Sequence, residues 1–201
     1  MATSKDLFDS REALASAFAD GLHDLLADKE NLGAFILVLA NSFSDEALFT
    51  TLGEPVRQRL FELEDYCREL LARGETPAVV TDDLMVLLKM MVVGYQSLER
   101  PVQRDEGPWH LQFNILRSFR PPRAQGAAVP TLFQAFDPCG FNFNQPFLAK
   151  EMFWQGRFRG VEVALFYNKF PFMPLHGLWV PEPKTCRPQY LYEAMNRYIW
   201  G

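Results

Sequence analysis

Apolar residues recur at helical spacing through the first hundred positions. Leu14, Phe18, Leu22, Leu25 and Leu26 form one stripe behind a cap at Asp9 or Ser10, which predicts a helix from Arg11. Past Gly33 the run AFILVLA predicts a second, more deeply buried helix. Ser44, Asp45 and Glu46 have the pattern of a cap and predict a short third helix. Pro55 suits the first turn of a fourth, with Val56, Leu60, Leu63, Cys67 and Leu70 on one face and Gly74 as its stop. Thr81 caps a fifth, DDLMVLLKMMVVGYQSLE, whose leading acids sit at the positive end of the helix dipole. Met85, Met90 and Met91 within it read as core filling.

Near Pro101 the texture changes. Proline becomes frequent, aromatic residues concentrate, and helical spacing gives way to alternation. HLQFNILRSF alternates Leu111, Phe113 and Ile115 against Gln112, Asn114 and Leu116 and reads as a strand. PPRAQGAAVP reads as a loop, TLFQAF fits a short helix or strand, and DPCG reads as a turn. EMFWQGRFRG contains a Gln-Gly pair read as a central turn, VEVALFYNKF reads as a strand, and GLWVPEP continues the sheet. From Pro188 the segment QYLYEAMNRYIW is helix-like. The prediction is an α+β chain with a helical module over 1–100 and a strand-rich module over 101–201.

Composition adds three constraints. The 201 residues are 48% hydrophobic, enough to build a sizeable core. Net charge is −5, which disfavours nucleic acid as a partner. The charge is uneven: residues 1–100 hold nine Lys/Arg against eighteen Asp/Glu, and residues 101–201 hold eleven against seven. Two modules with different partners would produce that asymmetry, and so would an ordinary solvated surface. Cys67, Cys139 and Cys186 are odd in number and widely spaced, with no C-x-x-C pair, so neither a disulfide framework nor a metal site is expected. No basic start leads into an apolar run, and the longest apolar stretches are too short for a membrane span. A cytoplasmic location, away from membranes, is expected.

The segments FNFNQPFLAKE and VALFYNKFPFMPLHGLWVPEP resemble the diadenosine tetraphosphate phosphorylase and nucleotidyltransferase branch of the histidine-triad-like superfamily. The matching residues are Asn144, Pro146 and Phe147, then Asn168, Lys169, Phe170 and Pro171, then Pro174, His176, Val180, Pro181 and Glu182. Gln145 and the segment CRPQYL depart from the family pattern. The resemblance covers roughly residues 108–200, and the helical half has no counterpart in it. It implies a partial antiparallel sheet of that fold, with nucleotide contacts at Asn168, Lys169 and His176.

The residue chemistry is compatible with that implication. Asn168 offers a donor and an acceptor for ribose or a base edge, and Lys169 offers a point charge for phosphate. Pro171 and Pro174 stiffen the turn between them. The bland alternative is that Asn168 closes the turn, Lys169 is solvated and His176 bonds to backbone. Arg117, Arg120 and Arg123 are candidates for phosphate or an acidic partner, or else form a solvated edge.

Catalysis in the family uses a histidine nucleophile from a His-x-His-x-His or His-x-His-x-Gln motif on a later strand. His23, His110 and His176 are too far apart to form one, so no catalytic residue is assigned. The motif is expected beyond residue 201, unless another chain completes the sheet or the remainder is divergent. No cofactor is expected. Two functions are compatible with this pattern. One is a non-catalytic accessory protein that docks a degenerate or incomplete fold of this kind on a larger protein. The other is a nucleotide phosphorylase or nucleotidyltransferase acting on a dinucleoside polyphosphate or sugar nucleotide.

Overall fold

Polar caps set the start of each long helix. Ser10 Oγ accepts the Ala13 N–H at 3.1 Å and begins α1, Arg11–Ala27. Asn31 Oδ1 accepts the Ala34 N–H at 3.0 Å and begins α2, Leu32–Ser44. Every residue of α2 from Ala34 to Phe43 is buried, so this helix lies at the centre of its neighbours. Asp45 accepts from Ala47 and Leu48 and begins α3, Glu46–Ala72. Thr81 Oγ1 accepts the Leu84 N–H and begins α4, Asp82–Val93. The computed structural model describes residues 7–75, 81–98, 101–120, 137 and 139–186.

Two of the expected helices are one. Pro55 does not open a new helix; it lies inside the 27 residues of α3. Leu48, Leu52, Val56 and Leu60 run as an unbroken buried stripe past it. An interior proline costs about 3 kcal/mol. Each buried aliphatic side chain returns roughly 1.5–3 kcal/mol, so the stripe outweighs the break. Gly74 stops the helix as expected: its φ is 71°, its N–H reaches Leu71 O, and Glu75 N–H reaches Leu70 O. Those two bonds make a Schellman cap. The expectation for α4 ran too long. Gly94, at φ 74°, ends the helix, and a single 3-10 turn, Tyr95–Ser97, follows. Of the methionines in α4, Met90 is fully buried, whereas Met85 is exposed.

Beyond α4 come two small antiparallel sheets. β1, Val102–Glu106, and β2, Trp109–Phe113, form a hairpin about Gly107, with Val102 opposite Phe113 and Glu106 opposite Trp109. The strand expected over HLQFNILRSF stops at Phe113. Asn114 Oδ1 takes the Arg117 N–H, which turns the chain into the short helix α5, Ile115–Ser118. The second sheet has the order β3-β4-β5, with β3 Met152–Phe158, β4 Val161–Tyr167 and β5 Gly177–Pro181.

The turn expected at Gln155–Gly156 is absent, and β3 runs straight through it. The chain reverses instead at Arg159 and Gly160, both with positive φ, as a two-residue hairpin turn requires. Gly156 has a different purpose. A Cβ there would lie 2.5 Å from Trp154 Cζ2, so the missing side chain lets the indole pack flat on the strand. The segments TLFQAF and QYLYEAMNRYIW lie outside the described residues.

Contacts divide the chain into two compact units. One, the sheet unit, comprises Met1–Leu14, Ala124–Tyr167 and Leu178–Gly201. Its core gathers Leu148, Ala164 and Phe166 with Phe143, Met152, Leu178 and Val180. Phe8 packs against Trp154, Phe158 and Trp179, with ring centroids 4.8–5.5 Å apart. The other, the helical unit, comprises Ala15–Arg123 and Asn168–Gly177. The loop joining β4 to β5 is therefore part of the helical unit.

Candidate functional site

The ten residues Asn168–Gly177 hold all three positions that the resemblance assigns to nucleotide. Asn168 N–H donates to His176 O at 3.2 Å and closes the base of the turn. Asn168 Oδ1 takes the Phe170 N–H at 3.0 Å, a local side-chain turn typical of asparagine. Asn168 Nδ2 lies 3.2 Å from His176 Nε2. Leu175, at φ 55°, brings the chain back so that the His176 ring stacks edge-on to Phe172 at 4.2 Å.

His176 faces into this turn. The Phe172 N–H points at Nδ1, 3.3 Å away. A backbone N–H and an amide NH2 can only donate, so donors approach both ring nitrogens, which opposes a second ring proton. Burial, then the positive charge of Arg117, push the imidazole below its ordinary range. A neutral, inward-facing imidazole fixes the turn.

Lys169 is paired. Its Nζ stands 2.5 Å from Asp83 Oδ1, in the first turn of α4, with both side chains about two-thirds or more buried. The pair presses on the first turn of α2. A Cβ on Gly33 would lie 2.7 Å from Asp83 Oδ2 and 3.1 Å from Lys169 Nζ. Asn41, buried near the end of α2, donates from Nδ2 to Leu37 O at 2.9 Å and to Asn168 O at 3.0 Å.

The other side of the turn is held by three consecutive carbonyls. Arg117 Nη1 donates to Phe170 O at 2.8 Å, Asn114 Nδ2 to Pro171 O at 3.2 Å, and Gln112 Nε2 to Phe172 O. The Arg117 guanidinium also lies over the Phe172 ring, 5.5 Å from its centroid. Of the three arginines proposed for phosphate, Arg117 is thus engaged with the turn on a helical segment, not on the strand the alternation predicted. Arg120 is exposed, and Arg123 lies outside the described residues.

The structure therefore brings Asn168, Lys169, His176 and Arg117 to one turn. Sequence reasoning missed Asn41, Asp83, Asn114 and Gly33. Asn41 had a signal, a lone amide in an apolar helix. Asp83 was credited to the helix dipole alone. His23 is exposed on α1, and His110 is exposed on β2, where Nδ1 is 2.6 Å from Asp105 Oδ1. The helical unit also contains a cleft of about 810 Å³ lined by Phe35, Leu63, Tyr66, Cys67 and Leu84. Burial, then the Glu64 charge, push the Cys67 thiol up, which makes it a poor nucleophile. Among the described residues no helix is long and apolar enough to cross a membrane, and no three His, Cys, Asp or Glu side chains are grouped as metal ligands would be. No family model, curated protein or solved structure matches this chain.

Proposed function

We propose that this chain is a non-catalytic binding protein that docks a degenerate or incomplete histidine-triad-like fold on a larger protein. The observation that carries the reading is the inward commitment of the turn. Lys169 is neutralised by Asp83, Asn168 is bonded within its own turn, and Arg117 is spent on Phe170 O. A nucleotide would have to compete with each of these bonds before gaining any of its own. The reading sets the protein in the cytoplasm, where its free thiols, Cys67, Cys139 and Cys186, stay reduced.

The competing reading is a nucleotide phosphorylase or nucleotidyltransferase whose histidine motif lies beyond residue 201. It draws on the same turn, because Asn168 and His176 do face each other there. Two measurements separate the readings. Native mass spectrometry on protein isolated from its source should find it held in a complex with a heavier chain. Calorimetric titration with diadenosine tetraphosphate should show no heat of binding. Binding that disappears in Lys169→Met would overturn the accessory reading in favour of the nucleotide one.

A further inference from the structure

The β1–β2 hairpin exposes both of its faces to water, the apolar one included. Register and alternation place Val102, Arg104, Glu106, Trp109, Leu111 and Phe113 on one face. Gln103, Asp105, His110 and Gln112 lie on the other. On the polar face His110 and Asp105 are strongly exposed, and Gln112 Nε2 donates to Phe172 O. The apolar face stands open: Val102 is 54% exposed, Trp109 69%, Leu111 52% and Phe113 63%. A two-stranded hairpin with no cover on its apolar side is marginal in water.

We propose that this face is covered by a second copy of the same chain, packed hairpin to hairpin about a two-fold axis. Two features favour a copy over an unlike partner. The first is charge. The face carries one cation and one anion of its own, Arg104 and Glu106, paired along the strand at 2.8 Å and both well exposed. Such a patch has no net charge and complements itself: under a two-fold, each Arg104 meets the partner's Glu106. An acidic or basic partner would find no charge to recognise. The second is area. The four exposed apolar side chains offer roughly 500 Å² per copy, so two copies cover roughly 1,000 Å² in all. That is the lower bound for a specific interface and fits a reversible dimer.

This goes beyond docking on a larger protein and is tested on the purified chain alone, so either idea can fail without the other. Sedimentation equilibrium over the micromolar range should give a mass that rises from 23.1 kDa toward twice that value as concentration increases. Leu111→Arg, set beside Arg104, should raise the dissociation constant at least about tenfold while the helical circular dichroism stays the same. Arg104→Glu and Glu106→Arg should each weaken the dimer, and the two together should restore it. This reciprocal swap uses exposed positions and does not depend on how the Leu111 variant folds. A chain that stays monomeric at every concentration overturns the proposal. So does a dimer indifferent to Leu111→Arg, or one that the double swap fails to restore.

Discussion

Lys169 Nζ and Asp83 Oδ1 meet at 2.5 Å, joining the turn after β4 to the first turn of α4 across 86 residues of sequence. The pair is partly screened, so its worth is modest. A double-mutant cycle with Lys169→Met and Asp83→Asn should give a coupling of about 0.5–1 kcal/mol in urea unfolding. Additive single effects would mean that the two charges do not interact in solution.

Gly33 tests the same contact from the other side. Alanine is the better helix former by about 1 kcal/mol. Here its Cβ would push on Asp83 Oδ2 and Lys169 Nζ. Gly33→Ala should therefore destabilise the wild-type chain. In a background lacking both charged side chains it should become stabilising by roughly 0.5–1 kcal/mol. The reversal of sign, read from unfolding midpoints, is the expected signature.

Asn41 satisfies two carbonyls from within a helix that is otherwise apolar. Asn41→Leu keeps the size but leaves Asn168 O without this donor. The expected loss is about 1–3 kcal/mol. Amide exchange should also quicken at Phe170 and Phe172, whose N–H groups depend on the turn's shape.

His176 makes the turn sensitive to acid. Its folded-state pKa lies below the ordinary histidine value because burial and the Arg117 charge disfavour the imidazolium. The unfolded chain therefore takes up this proton first. Stability from this ring is present in full above about pH 6.5 and is lost as pH falls through the lowered folded value. Protonation at Nδ1 also breaks the bond from Phe172 N–H. Unfolding midpoints measured from pH 7.5 down to 5 should fall less in His176→Gln than in the wild type. Arg117→Met should raise the His176 pKa, followed by the ring proton resonances.

Gly156 is a sensitive position in the sheet unit. A methyl group there meets the ring of a buried tryptophan at 2.5 Å. Gly156→Ala should cost about 1–3 kcal/mol and change the near-ultraviolet circular dichroism of Trp154. An unchanged spectrum and midpoint would show that the indole can move aside at no cost.

Three helix starts were legible because a cap acts within three residues: Ser10, Asp45 and Thr81 each reach an N–H that close by, whereas the Asn31 cap was not foreseen. The mixed α+β composition was legible for a related reason, since alternation and helical spacing are both local patterns. Pro55 was misread because its local cost was visible, whereas the burial that outweighs it depends on neighbours elsewhere in the chain. Gly156 was misread because a Gln-Gly pair suggests a turn when no indole is known to lie beside it. The β1 strand was not foreseen, since VQRDE is mostly polar and gains its alternation only when paired with WHLQF. At the turn, the sequence singled out the segment but not the partners of its side chains. Asp83 and Asn41 lie 86 and 127 residues away from theirs, and no spacing rule reaches that far.

The helical unit is assembled from two stretches separated by more than forty residues of the sheet unit. During synthesis the helices emerge first and must wait until Gly177 has left the ribosome before Asn41, Asp83 and Arg117 can find their ligands. Until then the buried amide of Asn41 has one carbonyl instead of two, and Asp83 is an unpaired charge. Closing so distant a contact is slow, because the loop entropy is lost before any bond is gained. The last ten residues of this unit thus act as a late-arriving fastener, and the rate at which they seat will set how long the nascent helices stay exposed to chaperones and proteases.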